Sequence, residues 1–284
     1  MPTSVDTKNA SAVSRAVEAA FAKMYSGAGL TLVPAVFREV ERLFAGGHPD
    51  FRAIDLRYHD LEHTLQATLC VVDILAGRHR AAVQPPISAR QFELAVVAVL
   101  LHDAGYVKQR SDAAGTGAKY TYCHVLRSAA FAASYLPTLG VDDLELEGVL
   151  NAINCTGPAG QVSRLCFANP LERFIGCAVA TGDYLGQMAA PDYPDELEIL
   201  FHEFEESDNF VRVPPERRVF QSAADLAEKT PTFWRDVVRP KLESEFDAVY
   251  RFLAQPYPDG PNRYLIAIER NLAVIRQRSL RPDN

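Results

Sequence analysis

Hydrophobic positions recur along most of the chain at the three- and four-residue spacing of amphipathic helices, and no segment shows the alternation of a half-buried strand. Helices are predicted over residues 11–24, 34–44, 59–76, 88–103, 120–136, 142–154, 169–188, 192–204, 231–252 and 264–275. Pro240 is expected to kink or break the ninth of these helices. Because no long polar linker interrupts the series, we expect a single all-α domain over residues 1–284.

An apolar run and a glycine affect the predicted helix limits. The run from Leu94 to Leu101 contains three valines and is also compatible with a buried strand. Ser88 and Gln91 have the spacing of a capping box, and the length from residue 88 to residue 103 favours a helix. Gly77 is expected to end the helix that starts near His59.

Composition narrows the classes of protein. The formal charge of −7 disfavours nonspecific binding to nucleic acid or to an acidic membrane surface. No apolar run approaches the roughly 18 residues of a membrane span, and the start, from Met1 to Asn9, has no apolar signal core. The five cysteines, an odd number without CxxC spacing, suggest reduced thiols in a cytoplasmic protein: Cys70, Cys123, Cys155, Cys166 and Cys177.

Candidate chemistry begins where an apolar helix ends in the adjacent pair His102 and Asp103. Burying such groups without partners costs on the order of 2–7 kcal/mol each, and a metal ion that takes both as ligands would offset this cost. His63 and Asp183 are further metal-ligand types within apolar helices. His59 and His63, four residues apart in the predicted helix, are expected to lie on one helix face. From spacing alone, two hydrogen-bonded histidines at a helix start are the favoured interpretation, and metal ligation is the alternative.

The order of these motifs resembles that of a known superfamily. Residues 58–63 read YHDLEH and are similar to the YHNxxH stretch of cyclic-nucleotide phosphodiesterases. Residues 100–106 read LLHDAGY and are similar to the LHDxG core of the same proteins. These proteins are a branch of the HD superfamily of metal-dependent phosphohydrolases, and the resemblance covers about residues 58–188. It implies an HD-domain helical bundle, here with additional carboxyl-terminal helices, that hydrolyses a phosphoester.

The resemblance also implies roles for particular residues. His63, His102, Asp103 and Asp183 would bind one divalent ion, and Asp103 would also serve catalysis as the bridge to a second ion. Ligands of this mix suit Mn, Fe, Zn, Ni or Mg. His59 would protonate the leaving oxygen, a task that suits imidazole because it titrates near neutral pH.

The chain departs from the family's pattern in ways that limit these expectations. Phosphodiesterases have another histidine where this chain has Tyr106, and His124 is the one further histidine before Asp183, so we expect one tightly held ion and at most a weak second one. His124 is either a contact to a second ion or phosphate, or a satisfied helix histidine. Arg127 would bind phosphate or form a surface salt bridge, and Gln187 would face the substrate or lie on the helix surface. Lys108 is equally open.

The expected partner is a small phosphorylated substrate such as a nucleotide, and the sequence does not indicate an oligomeric state. Two alternatives remain at this point. Di-iron oxygenases of the HD type need a richer set of histidines, and a non-catalytic module would sense a nucleotide without turnover.

His202 stands among Glu203, Glu205 and Glu206, where a solvated acidic face is expected in preference to a metal site.

Overall fold

The computed structural model describes residues 5–157 and 160–280. Residues 1–4 of the polar amino-terminal stretch and residues 281–284 of the predicted domain lie outside the described residues. Its α-helices are α1 (Ala10–Met24), α2 (Val33–Phe44), α3 (Leu61–Arg80), α4 (Ala89–Leu101), α5 (His124–Tyr135), α6 (Asp143–Asn154), α7 (Pro170–Met188), α8 (Tyr193–Phe210), α9 (Ala223–Phe233) and α10 (Arg263–Ser279). Over the described residues the structure contains two isolated β-bridges and no strand, which confirms the predicted all-α bundle.

Helix α3 lies at the centre of the bundle. It packs against α7 along much of its length and also against α1 and α4, while α4 and α7 contact each other. Leu65 and Val71 of α3 belong to one hydrophobic cluster, and Cys70 and Ile74 belong to another. The three helices that carry the candidate ligands are therefore neighbours, as expected. Helices α9 and α10 complete the second cluster by packing on α8.

The sequence signals for helix starts are mostly confirmed. Ser88 and Gln91 form the predicted capping box at the start of α4, which excludes the strand alternative for residues 94–101. Asp142 and Glu145 form a second capping box at α6. Among the described helices, none is both long and apolar enough to cross a lipid bilayer.

Both ends of α3 differ from the prediction. The helix begins at Leu61, because the Asp60 side chain caps it by accepting the backbone N–H of His63 (3.1 Å). His59 therefore precedes the helix, and the expectation that it shares a helix face with His63 is wrong. Gly77 does not end α3, which continues to Arg80. A Cβ at Gly77 would lie 1.9 Å from the carbonyl oxygen of Phe252, so glycine is required by close packing.

The carboxyl-terminal third also departs from the predicted pattern. The helix expected over residues 231–252 is replaced by α9, which already contains Pro231, and by two π-helical turns at residues 234–238 and 241–245. A proline removes one helical hydrogen-bond donor, which favours such a local change of helix type. Pro231 lies shortly before the first π-helical turn, and Pro240 lies directly before the second. Two further helix limits differ from the prediction: α5 begins at His124 and not at residue 120, and α8 continues beyond residue 204 to Phe210.

Candidate metal centre

Three helices bring the four predicted ligands together. His63 lies in the first turn of α3, His102 and Asp103 follow the last residue of α4, and Asp183 lies in the last third of α7. The side chains of His63, His102 and Asp103 are almost fully buried, whereas Asp183 retains 14% exposure. The structure thus places in one spot four residues that are separated by up to 120 positions along the chain.

The donor atoms form an alternating ring of imidazoles and carboxylates. His63 Nε2 lies 3.2 Å from Asp103 Oδ2 and 3.3 Å from Asp183 Oδ1. His102 Nε2 lies 3.5 Å from each of the same two oxygens. Two ligand atoms that are each about 2.1 Å from one ion lie about 3.0 Å apart at a right angle and about 3.4 Å apart at the tetrahedral angle. The four measured distances fall in or next to that range.

These short distances are not hydrogen bonds. His63 Nε2, His102 Nε2 and Asp103 Oδ2 are buried, and none has a partner with hydrogen-bond geometry among the described residues. His102 Nδ1 lies 2.7 Å from the carbonyl oxygen of Val99, which can only accept, so Nδ1 carries the proton and Nε2 has its lone pair free. Buried polar atoms without partners are costly, and a bound cation would satisfy all of them.

Without a cation, the four groups depend on one another for charge compensation. Burial lowers the pKa of His63, but Asp103 and Asp183 outweigh burial and raise that pKa to about 10. Burial raises the pKa of Asp183, and the two histidines overcome this effect and hold the pKa well below its ordinary value. The centre therefore keeps both carboxylates ionised, and a bound cation would take the place of the proton that His63 holds without it.

The structure reveals a functional candidate that the sequence reasoning missed. Glu203 of α8, expected on a solvated face, is 6% exposed. Its Oε2 lies 2.6 Å from His59 Nδ1, and its Oε1 accepts the backbone N–H groups of Arg57 (3.1 Å) and Tyr58 (2.9 Å). Burial raises the pKa of Glu203, but the hydrogen bonds, that of His59 first, bring it below its ordinary value. His202, its neighbour, is 63% exposed in its side chain, as expected.

A second position adjoins the ring on the far side of Asp103. His124 Nε2 lies 3.6 Å from Asp103 Oδ1, and His124 Nδ1 is 2.8 Å from the carbonyl oxygen of Thr121. Burial lowers the pKa of His124, which favours the neutral imidazole. The ring of Tyr106 is stacked on His59 and on His124, at centroid distances of 4.5 and 4.4 Å, and the two imidazole centroids lie 6.4 Å apart. Asp103 thus faces two positions with its two oxygens, and the second has one histidine.

Arg127, a predicted phosphate contact, and Lys108, whose role the sequence leaves open, are both engaged with the protein. Arg127 donates from Nε to the carbonyl oxygen of Gly105 (2.6 Å) and from Nη2 to that of Val107 (2.8 Å). Lys108 is 5% exposed in its side chain and forms an ion pair with Asp55 at 2.7 Å. These contacts support the loop after Asp103 and do not favour the phosphate role for Arg127.

Gln187 lies beside the centre but within the protein framework. The hydroxyl of Tyr58 donates to its Oε1, and its Nε2 donates to the backbone carbonyl of Asp183 (3.1 Å). Tyr58 is stacked against His63, with ring centroids 6.1 Å apart. Gln187 therefore supports two ligand-bearing segments, and its predicted contact with substrate remains a prediction.

Comparisons with known proteins add one finding. A protein-family model described as Npun_R2479-like matches residues 49–135, which are 87 of the chain's 284 residues. The matched stretch includes His59, His63, His102, Asp103 and His124 but ends before Asp183. None of the curated proteins matches the chain. The chain is thus similar to this family over less than a third of its length.

Proposed function

We propose that this protein is a metal-dependent phosphohydrolase that cleaves a phosphoester of a small substrate such as a nucleotide. The observation that carries the proposal is the ring of four alternating donors, three of which are buried without a hydrogen-bond partner among the described residues: His63 Nε2, His102 Nε2 and Asp103 Oδ2. The His59–Glu203 pair beside that ring supplies a group that transfers protons.

The donor set fits a divalent cation by type, and His63, His102 and Asp103 form a group compact enough to share one ion, with Asp183 Oδ1 3.3 and 3.5 Å from the two histidine nitrogens. His63, His102, Asp103 and Asp183 would hold the ion, with two nitrogen and two oxygen ligands. When bound, the ion acts as a Lewis acid toward a phosphoryl oxygen and lowers the pKa of a coordinated water. Asp183, the most exposed of the four ligands, indicates the side from which solvent and substrate reach the centre.

His59 is the candidate for proton transfer next to the ring. Its side chain is 13% exposed and its ring centroid lies 5.5 Å from that of His63. Because a carboxylate only accepts, Glu203 requires the proton of His59 to be on Nδ1, which leaves Nε2 as the atom that exchanges a proton with the leaving oxygen. Glu203 also accepts the backbone N–H groups of the two residues before His59, which helps to hold the ring in one orientation.

A substrate screen with a matched variant tests the proposal. The purified protein, loaded with Mn²⁺, Zn²⁺, Ni²⁺, Fe²⁺ or Mg²⁺, is assayed against phosphomonoesters, cyclic nucleotides and nucleoside triphosphates. We expect hydrolysis of at least one class, and a loss of about 10²–10⁴-fold in His59→Ala for a poor leaving group, with metal content unchanged. Absence of hydrolysis with every ion would contradict the proposal, and full turnover by His59→Ala would remove His59 from the mechanism.

The two alternative functions have weaker support. A di-iron oxygenase needs two well-ligated irons. Among the described residues, the ligand types found at the second position are one carboxylate, Asp103, and one histidine, His124. An optical spectrum of the iron-loaded protein under oxygen tests this alternative. A nucleotide-sensing module would bind nucleotide without turnover, which the same substrate screen detects as a binding signal without product.

A further inference from the structure

We propose that Tyr106 is a positioning residue, whose ring packs against the imidazoles of both His59 and His124 and holds them in place. This inference rests on the proposed function for its catalytic meaning, while the ring contacts themselves are a feature of the fold. Tyr106 is 1% exposed, and its ring makes an angle of 24° with His59 and of 12° with His124. The two imidazoles are tilted by 35° to each other with centroids 6.4 Å apart, so Tyr106 contacts each of them without lying in the middle of one column.

The Tyr106 ring contacts two histidines that are anchored in the same way. His59 is held at Nδ1 by Glu203, and His124 is held at Nδ1 by the carbonyl oxygen of Thr121. Each imidazole turns about its Cα–Cβ and Cβ–Cγ bonds, and one hydrogen bond restrains these rotations only in part. A flat ring packed against each imidazole restrains them further, because turning the imidazole would drive its edge into the face of Tyr106.

The backbone beneath Tyr106 is rigid enough to serve as a reference. Residues 104–106 form a 3₁₀ turn in which the N–H of Gly105 donates to Ser128 Oγ (2.8 Å), and Arg127 donates to the carbonyl oxygen of Gly105. A Cβ at Gly105 would lie 2.0 Å from the carbonyl oxygen of His124, so the turn and the start of α5 are in close contact. The two hydrogen bonds of Arg127 are thereby explained as support for this turn.

The ring, not the hydroxyl, carries the proposed role. The Tyr106 hydroxyl is buried without a partner of hydrogen-bond geometry among the described residues, so its removal leaves no partner unsatisfied. The flat aromatic face is what both histidines contact. Tyr106→Phe keeps that face, whereas Tyr106→Leu and Tyr106→Met fill much of the volume without it.

The experiment compares these three variants with the wild-type protein loaded with Zn²⁺. Turnover is measured on an alkyl phosphoester and on a nitrophenyl phosphoester, zinc content is measured by mass spectrometry, and the ring protons of His59 and His124 are followed by NMR. We expect turnover on the alkyl ester to fall about 10- to 100-fold in Tyr106→Leu and Tyr106→Met, and to fall less on the nitrophenyl ester. Both variants should keep the zinc content of the wild type. Tyr106→Phe should match the wild type in every measurement.

NMR gives a readout that does not depend on activity. Protons of an imidazole stacked on a tyrosine face resonate upfield, and we expect them to move downfield in the Leu and Met variants but not in Phe. Wild-type turnover in both Leu and Met variants would overturn the positioning role, and an equal loss in Phe would show that the hydroxyl contacts substrate instead. If the wild-type protein hydrolyses nothing, the proposed function fails, while the NMR comparison still decides whether Tyr106 orders the two rings.

Discussion

Glu203→Gln is the substitution that isolates the orientation of His59 from metal binding. The glutamine has nearly the same shape, and its Oε1 still accepts the backbone N–H groups of Arg57 and Tyr58. Its amide nitrogen replaces the oxygen that lies 2.6 Å from His59 Nδ1, and an amide N–H₂ cannot accept the proton there. The ring then loses its charge-assisted hydrogen bond, and the tautomer with the proton on Nδ1 is no longer favoured.

The size of the effect follows from that one bond. A hydrogen bond to a charged group contributes about 1.5–3 kcal/mol, and about 1.4 kcal/mol corresponds to a tenfold change in rate. We therefore expect turnover on an alkyl phosphoester to fall roughly 10- to 150-fold in Glu203→Gln. The metal content should stay at the wild-type level, because Glu203 has no contact with the four ligands among the interactions found at the ring.

Glu206→Gln is the matched control. Glu206 lies one turn further along α8 and also binds a loop, since its carboxylate accepts from the hydroxyl of Thr116 (2.6 Å), but it does not contact His59. Steady-state kinetics and metal analysis of the two variants side by side give the answer. The reasoning is refuted if Glu203→Gln turns over substrate at the wild-type rate, or if it loses activity only because it loses the metal.

Two further predictions concern stability. Glu93, 3% exposed on α4, accepts the backbone N–H groups of Thr31, Leu32 and Val33 at the start of α2. Glu93→Ala should therefore lower the free energy of unfolding, measured by urea denaturation, by about 2–4 kcal/mol. Its metal content at saturation should equal that of the wild type. Because the pKa of Glu203 is lowered on folding, its charge stabilises the protein above the ordinary value of 4.5 and this contribution is lost as the pH falls through the lowered pKa. The stability gap between the wild type and Glu203→Gln should therefore narrow below pH 4.5, and a gap that stays constant would contradict the assignment.

The parts of the fold that depend on local signals were predictable from the sequence. Capping side chains such as Ser88 and Asp142 act within a few residues of the helix they start, so spacing alone identifies them. The convergence of the helices at the ligands was also predictable, because unpaired buried carboxylates and histidines need one another or a cation. The apolar periodicity was sufficient for the all-α assignment.

Features that depend on contacts between distant segments were not predictable. Gly77 resembles a helix stop, and the carbonyl oxygen of Phe252 that explains it lies 175 residues further along the chain. Glu203 lies in an acidic run that is typical of a solvated surface, and its burial depends on the segment before α3. The one available signal for Glu203 was that a histidine near a metal centre needs a partner for its second nitrogen, and this signal does not name the partner.

Metal content tests the central claim most directly. The wild type, His63→Ala, Asp183→Ala and the exposed control His202→Ala are purified, stripped with chelator, reloaded with Zn²⁺ and passed through a desalting column before mass spectrometry and thermal denaturation. The account predicts about one ion per chain and a higher Tm on reloading for the wild type and His202→Ala, and little metal and no such rise for the other two. Retention of a full equivalent of zinc by both His63→Ala and Asp183→Ala would contradict the claim that these side chains form a metal centre.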